Sequence, residues 1–188
     1  MIWFTSDLHF GHNKDFIVQA RGFETVEEMN AEIVKRWNER VLPDDDVYVL
    51  GDLALGDIEE GIRLISKLNG YIHIVKGNHD TNTKIERYKE LPNVVSIDYA
   101  LEFKYKKAYF WLSHYPTITA NYDDDKPWAK HLINLFGHTH QEQPFYNNNL
   151  YMYNVGMDAH NCTPITIDEI IADIRKKKEE LNNEQMER

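Results

Sequence analysis

The stretch IWFTSDLHFGH (residues 2–12) sets a short run of apolar and β-branched residues, Ile2 to Thr5, directly before Asp7, His9 and His12. Such a run, bounded by polar residues, reads as a buried strand. This one delivers three ionisable or ligating side chains at its carboxyl end. The pattern recurs along the chain, and the recurrence decides the fold. "VYVL" (47–50) leads into Gly51-Asp52, and "YIHIV" (71–75) leads into Lys76-Gly77-Asn78-His79-Asp80. "AYFWLS" (108–113) is followed by His114, and "INLFG" (133–137) by His138-Thr139-His140. Two more apolar runs, "LYMYNV" (150–155) and "PITI" (164–167), complete the expected strands.

Helical patterns lie between the first three runs. "TVEEMNAEIVKRW" (25–37) opens with a capping box, Thr25 to Glu28, and sets Val26, Met29, Ile33 and Trp37 on one face. "DIEEGIRLISKL" (57–68) starts from Asp57, with Ile58, Ile62, Ile65 and Leu68 facing inward. Alternating strands and helices predict a parallel sheet whose ligand site lies beyond the carboxyl ends of its strands. The second half differs. "ALEFKYKKAYFWLS" (100–113) predicts a hairpin turning at Lys106-Lys107, and no long helices separate the strands that follow. We expect a second, antiparallel or mixed sheet stacked on the first, with helices outside. A helix from about Asp168 closes the chain, and its charged turns from about residue 176 to 188 are expected to be solvated and frayed. No repeat or linker divides residues 1–188, so one domain is the expectation.

With 188 residues and 42% hydrophobic side chains, the chain can bury one sizeable core. Thirty-one acids against 21 bases give a net charge of -10, which opposes a grip on long nucleic acid. A short nucleotide or a small phosphate ester remains open as a partner. The lone Cys162 excludes an intramolecular disulfide. The N-terminus lacks a basic segment followed by an apolar one, and no stretch approaches ~18 uninterrupted apolar residues. A cytoplasmic protein that keeps away from membranes is the expectation.

In Asp7-x-His9 and His138-x-His140 the paired residues are two apart. In extended backbone both would point to one side, roughly 6–7 Å apart at Cα. Each pair could then close on one ion with bonds of about 2.0–2.2 Å. A set of Asp, Asn and His without thiolate suits Mn, Fe, Zn, Ni or Mg.

Taken together, D-x-H (Asp7, His9), G-D (Gly51, Asp52), G-N-H-D (Gly77 to Asp80), a lone histidine after a strand (His114) and G-H-x-H (Gly137, His138, His140) resemble the calcineurin-like metallophosphoesterases. The motifs stand in the family's order from residue 7 to 140. The resemblance implies a four-layer α/β/β/α sandwich and a centre of two divalent metal ions, manganese foremost, with Fe, Zn, Ni or Mg as alternatives. Asp7, His9, Asp52 and His140 would hold one ion. Asp52, Asn78, His114 and His138 would hold the other, with Asp52 bridging. Two divalent ions against two carboxylates leave a shell near +2, which takes a bridging hydroxide and a phosphate. His79 would be catalytic: Asn78 faces the metal, so in extended backbone His79 is turned toward the leaving group, which it protonates.

The implied reaction is hydrolysis of a small phosphate mono- or diester. One alternative is a nuclease acting on nucleic-acid ends or short oligonucleotides, which the acidic charge opposes. Another is a non-catalytic scaffold on the same fold, which the complete ligand set and His79 oppose. The protein Ser/Thr phosphatases carry G-D-x-V-D-R-G, but "GDLALGD" (51–57) has Leu55 at the second Asp and Gly56 at the Arg. "SDLHFGHNKDFI" (6–17) and "SHYP" (113–116) are closer to small stand-alone bacterial and phage phosphoesterases.

His12, past Gly11, either faces substrate or makes a local hydrogen bond at a helix start. Arg21 sits in a loop on the same edge and is either a phosphate clamp, using its planar fork of donors, or a solvated cation; Lys76 is a similar case. "YPTITANYDDDKPWAK" (115–130), irregular and directly after His114, is the expected specificity loop. His73 reads as a sheet histidine, and His131 and His160 as incidental.

Overall fold

A computed structural model describes residues 1–119 and 131–186. Strand β1 (Ile2–Thr5) pairs in parallel with β2 (Asp46–Val49), β2 with β3 (Tyr71–Val75), and β3 with β4 (Val94–Asp98). Antiparallel β9 (Ile165–Thr166) flanks β1 on its other side, giving the order β4-β3-β2-β1-β9. The second sheet runs β5 (Leu101–Tyr105), β6 (Ala108–Leu112), β7 (Leu132–Phe136) and β8 (Met152–Asn154). Its first pair is the expected hairpin, turning where Lys106 takes φ 53°, and its other pairs are parallel. The architecture is thus two mixed sheets with helices, as the motifs implied.

Five α-helices accompany these strands among the described residues: α1 (Asp15–Val18), α2 (Val26–Arg40), α3 (Ile58–Ile65), α4 (Asn82–Tyr88) and α5 (Ile167–Met186). The capping box of α2 forms on one side: Thr25 Oγ1 accepts from the Glu28 N–H, while Glu28 reaches the N–H of Glu24. Asp57 caps α3 through the N–H groups of Glu59 and Glu60. Leu64, Ile65 and Leu68 are buried and Ile58 is only half-buried, so the inward face of α3 is rotated from the expected one.

Side-chain alternation divides the core. Trp3, Val47, Val49, Ile72 and Ile74 face Met29, Ile33, Trp37 and Ile65 on the helical side. Phe4, Leu50 and Val75 face the opposite way, toward Phe110, Leu112, Ile133, Leu135 and Tyr153 of the second sheet. The first sheet is therefore buried on both faces, which explains its near-continuous apolar strands. Ile170, Ile171 and Ile174 of α5 complete the second cluster.

Helix α5 runs to Met186 with side chains 176–183 exposed or half-buried, and the last two residues of the charged terminal segment lie outside the described residues. Lys, Glu and Leu are strong helix formers. Its start is also fixed, because Glu169 accepts from the Thr166 N–H and hydroxyl while Thr166 Oγ1 accepts from the Glu169 N–H. Among the described residues no helix is long and apolar enough to cross a membrane.

Candidate metal centre

The chain leaves β1 without turning away from β2. The N–H of Asp7 donates to Gly51 O and that of His9 to Asp52 O, both at 3.0 Å, so pairing continues past the sheet edge. It continues in an unusual backbone: Asp7, His9 and Asp52 take φ of 58°, 52° and 56°, and His138 and His140 take 67° and 50°. Left-handed non-glycine residues cost on the order of 1–3 kcal/mol each and gather at functional sites. Gly51, with φ 93°, lies against Gly77 and the His114 ring, where no Cβ fits. The amide of His138 donates to Asp7 Oδ2 at 2.8 Å, tying the end of β7 to the end of β1.

Two groups of ligating atoms result. Asp7, His9 and His140 form one and Asp52, His114 and His138 the other, with the atoms of each group within 4.8 Å of one another. In the first, Asp7 Oδ1 lies 3.7 Å from His9 Nε2 and 3.9 Å from His140 Nε2. Asp52 stands between the groups, its Oδ2 at 3.4 Å from His114 Nε2 and 3.8 Å from His9 Nε2. Asn78 Oδ1 joins the second group at 2.9 Å from His114 Nε2. His114 donates from Nδ1 to Leu50 O at 2.8 Å, which turns Nε2 into the centre. Asp7 and His9 share a group although their backbone is left-handed rather than extended, whereas, as the motifs implied, His138 and His140 divide between the two groups. Their left-handed turn, closed by the Thr139 N–H on Gly137 O at 2.7 Å, sends one ring to each group.

The electrostatics suit cations. Burial pushes the Asp7 carboxyl up, but the imidazoles of His9, His114 and His140 outweigh it, and Asp7 lies below its ordinary range. The same balance, led by burial against the His114 ring, brings Asp52 down to about 2. Burial and the His114 ring push His138 below the usual histidine value. Asp7 Oδ1 and both ring nitrogens of His9 are buried without a hydrogen-bond partner. A buried polar atom left so costs about 1–3 kcal/mol. A divalent cation accepting lone pairs from Asp7 Oδ1 and His9 Nε2 would relieve the penalty, so the residues present fit the metal that the motifs imply. Mixed carboxylate, amide and imidazole donors suit borderline to hard ions.

His79 is held by its backbone, whose N–H donates to Asp52 Oδ1 at 2.8 Å. Its ring is 43% exposed, with Nε2 4.0 Å from Asp52 Oδ2 and its centroid 5.7 Å from that of His9. The imidazole thus leans over the open rim of the centre. His12 also joins the cluster, its ring 5.1 Å from His9 and edge-on to Phe16. Burial, then the rings of His9, His79 and His140, push it down to about 4. Nδ1 of His12 is buried without a hydrogen-bond partner.

Arg21 is a correction. Its side chain is 1% exposed, and it donates to both oxygens of Asp158 and to the carbonyls of Asp7 and Leu8. Those partners consume the fork, so Arg21 is neither a phosphate clamp nor a solvated cation. Lys76 is likewise engaged, by Asn82 Oδ1. Tyr115 lies exposed at the rim, its ring 4.6 Å from His138. The remainder of the expected specificity loop, residues 120–130 with Tyr122, Asp123 to Asp125 and Trp128, lies outside the described residues.

Two supporting carboxylates escaped the sequence reading. Asp80 is buried and accepts from the N–H groups of Gly77, Asp52 and Leu53, lacing the ends of β2 and β3 together. Its signal was its place in GNHD. Asp158 accepts from His140 Nδ1 at 2.9 Å and from Arg21. No spacing betrays it, because its partners lie 18 and 137 residues away.

Residues 1–177 match the calcineurin-like phosphoesterase superfamily domain. An uncharacterized protein of Methanocaldococcus jannaschii is 34% identical over 185 residues, covering 94% of this chain and 93% of its own. The gene 66 protein of Mycobacterium phage D29 is 26% identical over 199 residues, covering 93% of this chain and 98% of its own. Among solved structures, a protein of unknown function from Aquifex aeolicus superposes with a TM-score of 0.67 at 25% identity, over 92% of this chain and 98% of that one.

Proposed function

The chain belongs to the calcineurin-like phosphoesterase superfamily, metal-dependent hydrolases of phosphate esters, and from that premise we propose that it hydrolyses a small phosphate mono- or diester at a two-ion centre. The observation that carries the reading is the pair of adjacent ligand groups with Asp52 between them. Asp7, His9, Asp52 and His140 would hold one divalent ion, and Asp52, Asn78, His114 and His138 the other. Ions bound there would supply Lewis acidity to a phosphoryl oxygen and lower the pKa of water.

The chain's own residues do the rest. Asp52 commits Oδ1 to the His79 amide and keeps Oδ2 for the centre. His114, anchored on Leu50 O, and Asn78 present fixed donors on the second side. His79 has its ring at the rim, within reach of an ester oxygen and of solvent. We assign it the proton delivered to the leaving alcohol. Arg21 is fully engaged by Asp158 and two backbone carbonyls, and Lys84 by the carbonyls of Ala54 and His79. With those two cations committed elsewhere, phosphate recognition would rest chiefly on the ions and imidazoles. The net charge of -10 further favours a small ester over a long polyanion.

The test is to strip the protein with chelator, reload it with Mn, Ni, Zn, Fe and Mg in turn, and screen phosphate mono- and diesters. Hydrolysis that depends on the added ion supports the reading. Metal-loaded protein inert toward p-nitrophenyl phosphate and its bis-ester alike would turn it toward a scaffold.

A further inference from the structure

We propose that Asp158 is the positioning residue of the Asp7–His9–His140 group, fixing the ring of His140, and that Arg21 anchors Asp158 to the loop carrying Asp7. The inference rests on the two-ion reading. His140 stands on a left-handed turn after β7 with its side chain 31% exposed, so the turn alone leaves its ring free to rotate. Its Nδ1–H donates to Asp158 Oδ2 at 2.9 Å, which leaves the Nε2 lone pair on the side of Asp7 Oδ1. A histidine ligand is commonly backed this way, and a carboxylate partner both fixes the tautomer and makes the ligating nitrogen more basic.

Asp158 is itself immobilised. Its Oδ1 accepts from Arg21 Nε at 3.0 Å, and its Oδ2 accepts from Arg21 Nη2 at 2.9 Å as well as from His140. The same guanidinium donates to Asp7 O at 2.7 Å and Leu8 O at 3.1 Å. One buried cation thus ties the loop that supplies Asp7 to the carboxylate that aims His140. A parallel bridge between Ser6 and Gly156 brings the segment of Asp158 alongside β1. In the second group His114 is backed instead by the neutral Leu50 carbonyl. The effect of Asp158 should therefore be confined to one ion.

The competing account is a buried ion pair that merely stabilises the fold, and two readouts separate them. Asp158→Asn keeps the shape but has one acceptor oxygen, which cannot serve both the Arg21 fork and His140. In metal-free protein above pH 8, nitrogen NMR should find His140 as the Nδ1–H tautomer in the parent and as a tautomer mixture in the variant. Calorimetric titration with manganese should show one of two ions weakened roughly 10–100-fold, and the other within about threefold. Arg21→Lys, which keeps the charge but loses the fork, should shift both readouts the same way and less far. It decides the matter if the Asn variant loses its circular dichroism. An unchanged His140 tautomer, or both ions held at parent affinity in a folded variant, overturns the inference. Failure of the parent itself to bind two ions would instead sink the two-ion reading, and the tautomer comparison would still decide whether Asp158 sets the ring.

Discussion

The backbone N–H of His79 donates to Asp52 Oδ1 at 2.8 Å, while Oδ2 of the same carboxylate faces His114 Nε2 at 3.4 Å. One oxygen thus builds the junction between the ends of β2 and β3, and the other serves the space between the ligand groups. Asp52→Asn can still accept the amide bond but brings no charge. The folded state should survive, as judged by thermal unfolding. Both ions should bind more weakly, and kcat/KM should fall by more than the roughly 10–100-fold that changing a supporting partner costs.

Because His79 reaches Asp52 through its amide, its imidazole can be removed without undoing that junction. His79→Ala should retain its metal content while kcat drops by about 10²–10⁴, the usual contribution of a positioned acid or base. The loss should be smaller for p-nitrophenol, which leaves as a stable anion, than for an alkyl alcohol, which needs the proton. Equal losses for both leaving groups would remove His79 from that role.

Gly137 follows β7 where a side chain has no room: a methyl group there would collide with Ser6 Oγ and Asp7 Oδ2. Gly137→Ala should destabilise by about 1–3 kcal/mol in a urea titration, the usual cost of overpacking. It should also weaken the ion at Asp7, since Asp7 Oδ2 must move from the His138 amide. A variant with unchanged stability and metal affinity would show that the loop yields freely.

Asp80 holds the amides of Gly77, Asp52 and Leu53 and also accepts from the Tyr88 hydroxyl. Replacing it with Ala leaves these buried donors unpaired, and each such group costs about 1–3 kcal/mol. Asp80→Ala should therefore lose about 3 kcal/mol or more of stability, by equilibrium denaturation, and lose metal affinity with it. Asp80→Asn, which keeps one acceptor, should be intermediate.

The apolar runs before each ligand-rich turn were legible enough that β1 and β3 match their expected bounds residue for residue. The turns' contents were legible too, because Asp, Asn and His cluster there and little else does. Short elements were not: α1 spans 4 residues and α4 spans 7, too few to develop a helical period. The left-handed backbone at Asp7, His9, His138 and His140 was also invisible, since no glycine marks those positions. Spacing alone put His138 and His140 on one ion, whereas the motifs, like the observed groups, divide them. Arg21 and Asp158 meet across 137 residues, and only the bridge beside β1 brings them together.

The two-ion centre stands or falls on the number of ions that activity requires. Stripped protein is titrated with manganese while bound ions per chain and hydrolysis of p-nitrophenyl phosphate and its bis-ester are followed in the same sample. Two ions should bind per chain, with hydrolysis rising mainly over the second equivalent. Full activity with one ion bound, or none with two, would contradict the two-ion centre as the seat of the chemistry.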